Sequence, residues 1–331
     1  MIKLISIKKG GGKLELKQFR IGSLTLTSNV FMAPLAGYTC YPFRMLCYEL
    51  GAGLCFTEMV SANALKYKDK ATQKLLFSTP KEPIRAVQLL GGDPRILEQM
   101  ASDPILESFD LIDINMGCPT PNIYKSGEGS ALLEDPKRAA AIIRGVKRSG
   151  KPVSVKFRVG ICESSLNAAE FAKLCEDSGA DFITIHGRTR SMMYDGTPYY
   201  EQIQQAKSTV KIPVIANGGI FSAKDAEQIM FQTDADGIML ARYGLQNPFI
   251  FSELTNTPIT KSLYQLLLEQ LSLVTTYYDE TFSLTYIKKI VSYSMKKRKG
   301  TKQYKSALYQ CGNPEELKEL LGLIFDEKGG I

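Results

Sequence analysis

The segment Asp113-Ile114-Asn115-Met116-Gly117-Cys118-Pro119 is where reactive chemistry is most legible in this chain. Gly117 and Pro119 flank Cys118 and shape a tight turn, which holds the thiol on a loop instead of packing it in a core. An ordinary thiol, with a reference pKa of about 8.5, is largely protonated at neutral pH and can act as an acid. The other cysteines, at positions 40, 47, 55, 162, 175 and 311, read as small buried apolar residues.

A second set of polar residues recurs at one place in the pattern, where short apolar runs end. Pro34 follows the first run, Gln88 ends the third and Asn115 the fourth. Lys156 and Arg158, His186 and Arg188, Asn217, and finally Arg242 end or follow the later runs. A polar group ending an otherwise apolar strand is costly unless a ligand or partner satisfies it. Six runs ending this way read as one shared polar pocket. An ammonium at position 156 needs an anion, which a phosphate or a reduced flavin ring would supply. Asn217-Gly218-Gly219 and Ala241-Arg242 offer backbone amides to a phosphate, although any tight turn also favours glycine.

The elements that must position these residues are strands at Val30–Ala33, Leu54–Thr57, Ile84–Gln88, Leu111–Asn115, Val153–Lys156, Phe182–His186, Val214–Asn217 and Gly237–Leu240. Their near-continuous apolar character predicts parallel strands covered on both faces. Between them, Pro136–Ser149, Leu166–Ser178 and Ser222–Phe231 carry helix start and stop signals. Eight such units predict an α/β fold, a (β/α)8 TIM barrel. An open doubly wound sheet would need a Gly-rich phosphate turn after the first strand, and Pro34-Leu35-Ala36-Gly37 is no such turn. The alternating stretch Phe19–Thr27 predicts a hairpin plugging the barrel floor. The expected division is a catalytic barrel over residues 1–253, with 1–28 as its N-terminal hairpin cap, and an all-helical domain over 254–331. Helices are expected there at Leu263–Phe282, Leu284–Lys299 and Pro314–Phe325.

Between Leu284 and Lys305 stand eight Lys or Arg and no Asp or Glu. A solvated helix face is the plain reading; a phosphate-binding surface is the alternative that eight charges of one sign favour. The 331 residues carry a net charge of +7, compatible with an anionic partner or with a mildly basic enzyme. A single histidine excludes multi-histidine metal centres, and seven cysteines without a CxxC pair point to a reducing cytoplasm with neither zinc nor disulfide framework. No apolar run reaches the roughly 20 residues a membrane span needs. The segment Met1–Gly12 lacks the apolar core of a signal peptide.

Taken together, these pieces resemble the tRNA-dihydrouridine synthases, most closely the bacterial B-type branch. The resemblance rests on Met32-Ala-Pro-Leu-Ala-Gly37, Thr57-Glu-Met59, Val87-Gln-Leu89, Asp113–Pro119, Ser154-Val-Lys-Phe-Arg158, Ile185-His-Gly-Arg-Thr-Arg190, Ile215-Ala-Asn-Gly-Gly219 and Asn247-Pro-Phe249. It implies FMN held by Pro34, Leu35, Ala36, Gln88, Lys156, His186, Asn217, Gly218, Gly219, Ala241 and Arg242. It implies NADPH as reductant, hydride delivery to C6 of an extruded uracil, and Cys118 as the proton donor to C5. Asn115, Arg158 and Arg188 would line the substrate side. Lys288, Lys289, Lys296, Lys297, Arg298 and Lys299 would meet the RNA, a tRNA or another structured RNA, on the C-terminal helices. The enzyme is expected to be monomeric, metal-free, cytoplasmic and independent of membranes. Departures from the family pattern are Cys40 for Asp, Gly219 for an acid, Ala241 for Gly, Tyr200 for Trp and Ile290 for His. Two rival readings are an FMN-dependent dehydrogenase of free dihydroorotate or dihydropyrimidines, and an RNA-binding protein without catalysis.

Overall fold

The structure, a computed structural model, describes residues 19–296 and 298–325; the stretch before Phe19 and Lys297 lie outside the described residues. A short antiparallel hairpin, β1 (Phe19–Ile21) and β2 (Leu24–Leu26), precedes eight parallel strands. These are β3 (Val30–Met32), β4 (Leu54–Ser61), β5 (Ala86–Leu90), β6 (Leu111–Met116), β7 (Val153–Arg158), β8 (Phe182–His186), β9 (Val214–Asn217) and β10 (Gly237–Leu240). Neighbours in sequence pair throughout and β10 pairs with β3, so the barrel is closed. All eight expected strands form, three of them (β4, β6 and β7) longer than their apolar runs. Polar residues such as Glu58 and Arg158 extend β4 and β7, because a position at the barrel's open end can be polar without ending the ladder.

The lower barrel interior is apolar. Phe31, Phe56, Leu111, Phe182, Ile215 and Met239 form one buried cluster with Phe19, Ile21 and Leu26 of the hairpin. Phe31 meets both Phe19 and Phe182 edge-on, with ring centroids 6.0 and 5.9 Å apart. The hairpin therefore closes the floor, and each fully buried side chain of this plug contributes about 1.5–3 kcal/mol.

The outer helices follow the sequence signals closely. Pro136–Lys147 starts behind Asp135, whose carboxylate accepts the Arg138 N–H at 3.0 Å. Ala223–Thr233 is capped by Ser222, which accepts the Asp225 N–H at 3.1 Å.

The C-terminal region departs from expectation in two respects. The helix expected over Leu263–Phe282 ends at Tyr277, and a second begins at Glu280 and runs to Ser294. Asp279 forms the break, because its carboxylate accepts the Phe282 N–H at 2.9 Å as an N-cap. An unexpected short helix, Lys305–Gln310, precedes Pro314–Phe325. The helices Leu263–Tyr277 and Glu280–Ser294 pack on the barrel: Gln270 donates to the Pro42 carbonyl at 2.7 Å, and Tyr293 lies edge-on to Tyr38, centroids 5.2 Å apart.

Candidate active site

The upper end of the barrel opens into a cavity of about 260 Å³. Its lining includes Pro34, Leu35, Ala36, Gln88, Asn115, Cys118, Lys156, Arg158, His186, Arg188, Asn217, Gly218, Gly219, Ala241 and Arg242. The structure thus brings together every residue expected around the cofactor and the reacting base. Strand register explains the grouping: Asn115 pairs with Lys156, Arg158 with His186 and His186 with Asn217, so side chains of one parity rise into the same layer.

Cations dominate this layer, and no Asp or Glu is among the described residues lining it. Lys156 stands two residues before the end of β7, not at its end. Its Nζ donates to Asn217 Oδ1 at 3.0 Å, while Asn217 Nδ2 donates to the Met239 carbonyl at 2.7 Å. Burial, reinforced by the Arg158 charge, lowers the Lys156 pKa to about 8. His186 is held well below its ordinary pKa by burial and by Lys156, Arg158, Arg188 and Arg242, so the imidazole is neutral near pH 7. The φ angles of Gly218 (+109°) and Gly219 (+80°) are accessible to glycine at no steric cost. A Cβ on Gly218 would come within 2.8 Å of His186, so the backbone is bare where it faces the cavity. Bare amides beside Arg188 and Arg242 suit a phosphate, and a buried ammonium deeper in the cavity suits an electron-rich ring. The residues present fit FMN.

Three of the departures fit their surroundings. Tyr200 donates to the Gly218 carbonyl at 3.3 Å and occupies the space above Gly219 that a side chain there would need. Cys40 and Ile290 are buried apolar residues.

Cys118 lies at the cavity rim on the loop after β6. Its N–H and that of Gly117 donate to Asn115 Oδ1 at 2.9 and 3.1 Å, and its carbonyl accepts from Ser130 N and Oγ at 3.1 and 2.8 Å. The thiol is half-buried and reaches Thr120 Oγ1 at 3.4 Å. Arg158 is 2 % exposed and donates to the carbonyls of Gly117 (2.8 Å), Thr189 (2.9 Å) and Met193 (2.7 Å). Its hydrogen bonds are thus spent on tying the Cys118 turn to the loop after β8. Arg188 donates from Nε to the carbonyls of Asp195 and Gly196, and its Nη1 points towards His186.

Sequence reasoning missed Tyr194, an exposed ring at the rim between Arg158 and Arg242, whose guanidinium carbons lie 5.5 and 5.3 Å from its centroid. It also missed Phe221, on the loop after β9, and Tyr243, in the short helix Arg242–Gln246, because neither a loop nor a five-residue helix carries a periodic signal. Cys162 corrects the reading of six inert cysteines: it is half-exposed on the loop after β7, and hydrogen bonds from Ser164 and Ser165 lower its pKa.

The basic stretch divides. Lys289, Lys296 and Lys299 are exposed. Lys289 reaches Tyr38 and the Gly37 turn beside the cavity, where it faces the buried carboxylate of Glu58. Lys296 Nζ sits 3.6 Å from the centroid of the Tyr293 ring. Lys288, in contrast, donates to the carbonyls of Tyr309 (3.2 Å) and Cys311 (2.5 Å), at the end of the short helix. Arg298 is half-buried, and its Nε donates to the Ser294 carbonyl at 2.9 Å. These two side chains cap helix ends and are not free for a polyanion. Among the described residues, no cluster of three or more His, Cys, Asp or Glu could hold a metal ion, and no helix is long and apolar enough to cross a membrane.

Comparison with known proteins adds an independent line. The family model for dihydrouridine synthases (Dus) matches residues 31–328. The chain is 34% identical over 298 residues to tRNA-dihydrouridine synthase B of Pseudomonas aeruginosa, covering 87% of this chain and 90% of that protein. It is 38% identical over 236 residues to the Escherichia coli protein of the same name, covering 71% and 74%. Among solved structures, morphinone reductase in complex with tetrahydroNAD superposes with a TM-score of 0.52 at 14% identity, covering 80% of this chain and 94% of that one. That likeness concerns the barrel fold.

Proposed function

The chain belongs to the dihydrouridine synthase family, and from that premise we propose that it reduces the C5=C6 bond of uridines in tRNA to 5,6-dihydrouridine, with FMN in the barrel mouth, NADPH as reductant and Cys118 as the proton donor. The observation that carries the reading is the shared cavity: a thiol on its rim and a buried ammonium within it. FMN bound there supplies the hydride. The amides of Gly218 and Gly219, with Arg242, would hold its phosphate, and Lys156 and Asn217 would meet its ring; Arg188, expected on the substrate side, stands beside the Gly218 backbone and would join the phosphate set. Gln88 and Asn115 orient the ring and the base, and neutral His186 accepts or donates a hydrogen bond without adding charge. Cys118 would keep a proton on Sγ for C5, the carbon next to the one that takes the hydride. A uracil reaches this cavity only when extruded from its stack. Lys289, Lys296 and Lys299 face the RNA backbone and contribute affinity without reading sequence. The barrel carries the chemistry, and the helices that follow it carry the RNA. The enzyme acts as a monomer in the cytoplasm, where its free cysteines stay reduced.

The test is to incubate the purified yellow protein with NADPH and an unmodified tRNA transcript, then read nucleoside masses. Dihydrouridine in the transcript, with no turnover of free uracil or dihydroorotate, is expected. Turnover of the free pyrimidines alone supports the dehydrogenase rival, and a colourless protein that takes up no FMN supports the non-catalytic one.

A further inference from the structure

Below the cavity, Asp113 sits on β6, 1 % exposed and facing the barrel interior. We infer that Asp113 is a positioning residue for the reaction: it anchors the lower end of a hydrogen-bond chain that runs through Gln88 and Asn115 and ends on the backbone N–H of Cys118. The inference rests on the function proposed above for what the chain serves, and on geometry alone for its existence.

The first links are fixed by chemistry. Ser154 Oγ donates to Asp113 Oδ1 at 2.6 Å, and Gln88 Nε2 donates to Asp113 Oδ2 at 2.6 Å. An ionised carboxylate can only accept, so the nitrogen of the Gln88 amide must face it. That choice turns Gln88 Oε1 towards Asn115, whose Nδ2 donates to it at 2.9 Å. Asn115 Oδ1 is in turn aimed at the Gly117 and Cys118 N–H groups, 3.1 and 2.9 Å away. The two ends of an amide have nearly the same shape and opposite hydrogen-bonding character, so its partners set its orientation. Here the run is fixed from both ends: acceptor-only Asp113 holds Gln88, and the donor-only N–H groups of Gly117 and Cys118 hold Asn115.

Two consequences reach the cavity. Asn115 Oδ1 is saturated by two backbone donors, and its remaining Nδ2 hydrogen faces only the weak acceptor Met59 Sδ at 3.3 Å. Towards a ligand, Asn115 therefore offers a donor and recognises a carbonyl oxygen. The Cys118 turn, pinned by these bonds from one side and by Arg158 on Gly117 from the other, holds its thiol in one place. Burial raises the Asp113 pKa to about 6, opposed by its two donors and by the Lys156 charge, so the acceptor-only state prevails at neutral pH.

Asp113→Ala removes the anchor, and the isosteric Asp113→Asn can keep it. In asparagine, Oδ1 can accept from Gln88 while Nδ2 donates to the amphoteric Ser154 hydroxyl; alanine offers Gln88 no acceptor. In the protein without cofactor, hydrogen exchange at the Gly117 and Cys118 amides is expected to rise about 10-fold or more in Asp113→Ala, with β8 amides unchanged and Asp113→Asn near wild type. In the flavin-loaded, pre-reduced enzyme, single-turnover reduction of tRNA uridine should fall about 10-fold or more in Asp113→Ala and recover in Asp113→Asn. Unchanged exchange at residues 117 and 118 in Asp113→Ala overturns the inference. So does a loss shared equally by both variants, with exchange rising throughout the barrel. Should Asp113→Ala not fold, Gln88→Met removes the middle link: a local rise in exchange at 117 and 118 supports the chain and its absence overturns it. A wild-type protein inactive on RNA overturns the proposed function but leaves the exchange experiment valid.

Discussion

Lys156 Nζ lies 3.0 Å from Asn217 Oδ1 and has no carboxylate among its hydrogen-bond partners in the described residues. A buried cation satisfied by a neutral amide has charge to spare for an anionic ligand. Its pKa of about 8 lies below the ordinary lysine value, so the ammonium is present below pH 8 and lost as pH rises through it. FMN affinity is therefore expected to weaken above about pH 8, as titrated by flavin fluorescence. Lys156→Met should weaken binding about 10²-fold at pH 7 and flatten that dependence. An unchanged pH profile in the variant would assign the titration to another group.

Arg158 tests the rim in a different way. Its fork reaches three carbonyls, of Gly117, Thr189 and Met193, and a lysine cannot reproduce that planar geometry. Arg158→Lys is expected to retain flavin and lower uridine reduction about 10- to 100-fold, since the thiol turn loses its anchor. Equal flavin content with a normal rate would remove this anchoring role.

Away from the cavity, Arg44 and Glu82 form a fully buried pair at 2.6 Å, with Arg44 also donating to the Thr39 and Phe77 carbonyls. Thr39 belongs to the turn after β3 that faces the cavity. Glu82→Gln or Arg44→Met is expected to cost about 3–5 kcal/mol by denaturant unfolding, because each leaves a charge or its donors buried without a partner. A loss below about 1 kcal/mol would mean that water reaches the pair.

The basic face yields a split outcome. Changing Lys289, Lys296 and Lys299 together to alanine is expected to lower the slope of log affinity for tRNA against log salt by about 2, at about 0.7–0.9 per lost phosphate contact. Lys288→Ala should leave the slope unchanged and lower the melting temperature, since Lys288 caps the Lys305–Gln310 helix. A reversed pattern would move the RNA footprint to the other side of the helix Glu280–Ser294.

These contrasts mark what was legible in the residues. The barrel was readable because parallel strands buried on both faces leave apolar runs, and each run ends in a turn with its own signal. The cavity was readable for the same reason, as Gln88, Asn115, Lys156, His186 and Asn217 interrupt those runs at matching depth. The break at Asp279 was hidden, because apolar spacing continues across it and only the carboxylate cap reveals the new helix. The roles of Lys288 and Arg298 were equally hidden, since a lysine that caps a carbonyl and one that faces solvent look alike in sequence. Tyr194 and Asp113 depend on contacts across 25 residues or more, between strands and loops that spacing does not relate.

The central claim, that Cys118 supplies the proton in a flavin-dependent reduction of tRNA uridine, is most directly tested by single-turnover kinetics of Cys118→Ala. The variant is loaded with FMN, reduced with NADPH and mixed with an unmodified tRNA transcript. The expected result is normal flavin content, normal reduction by NADPH, near-normal RNA affinity, and dihydrouridine formation slowed about 10²-fold or more. Dihydrouridine formed at the wild-type rate would contradict the account.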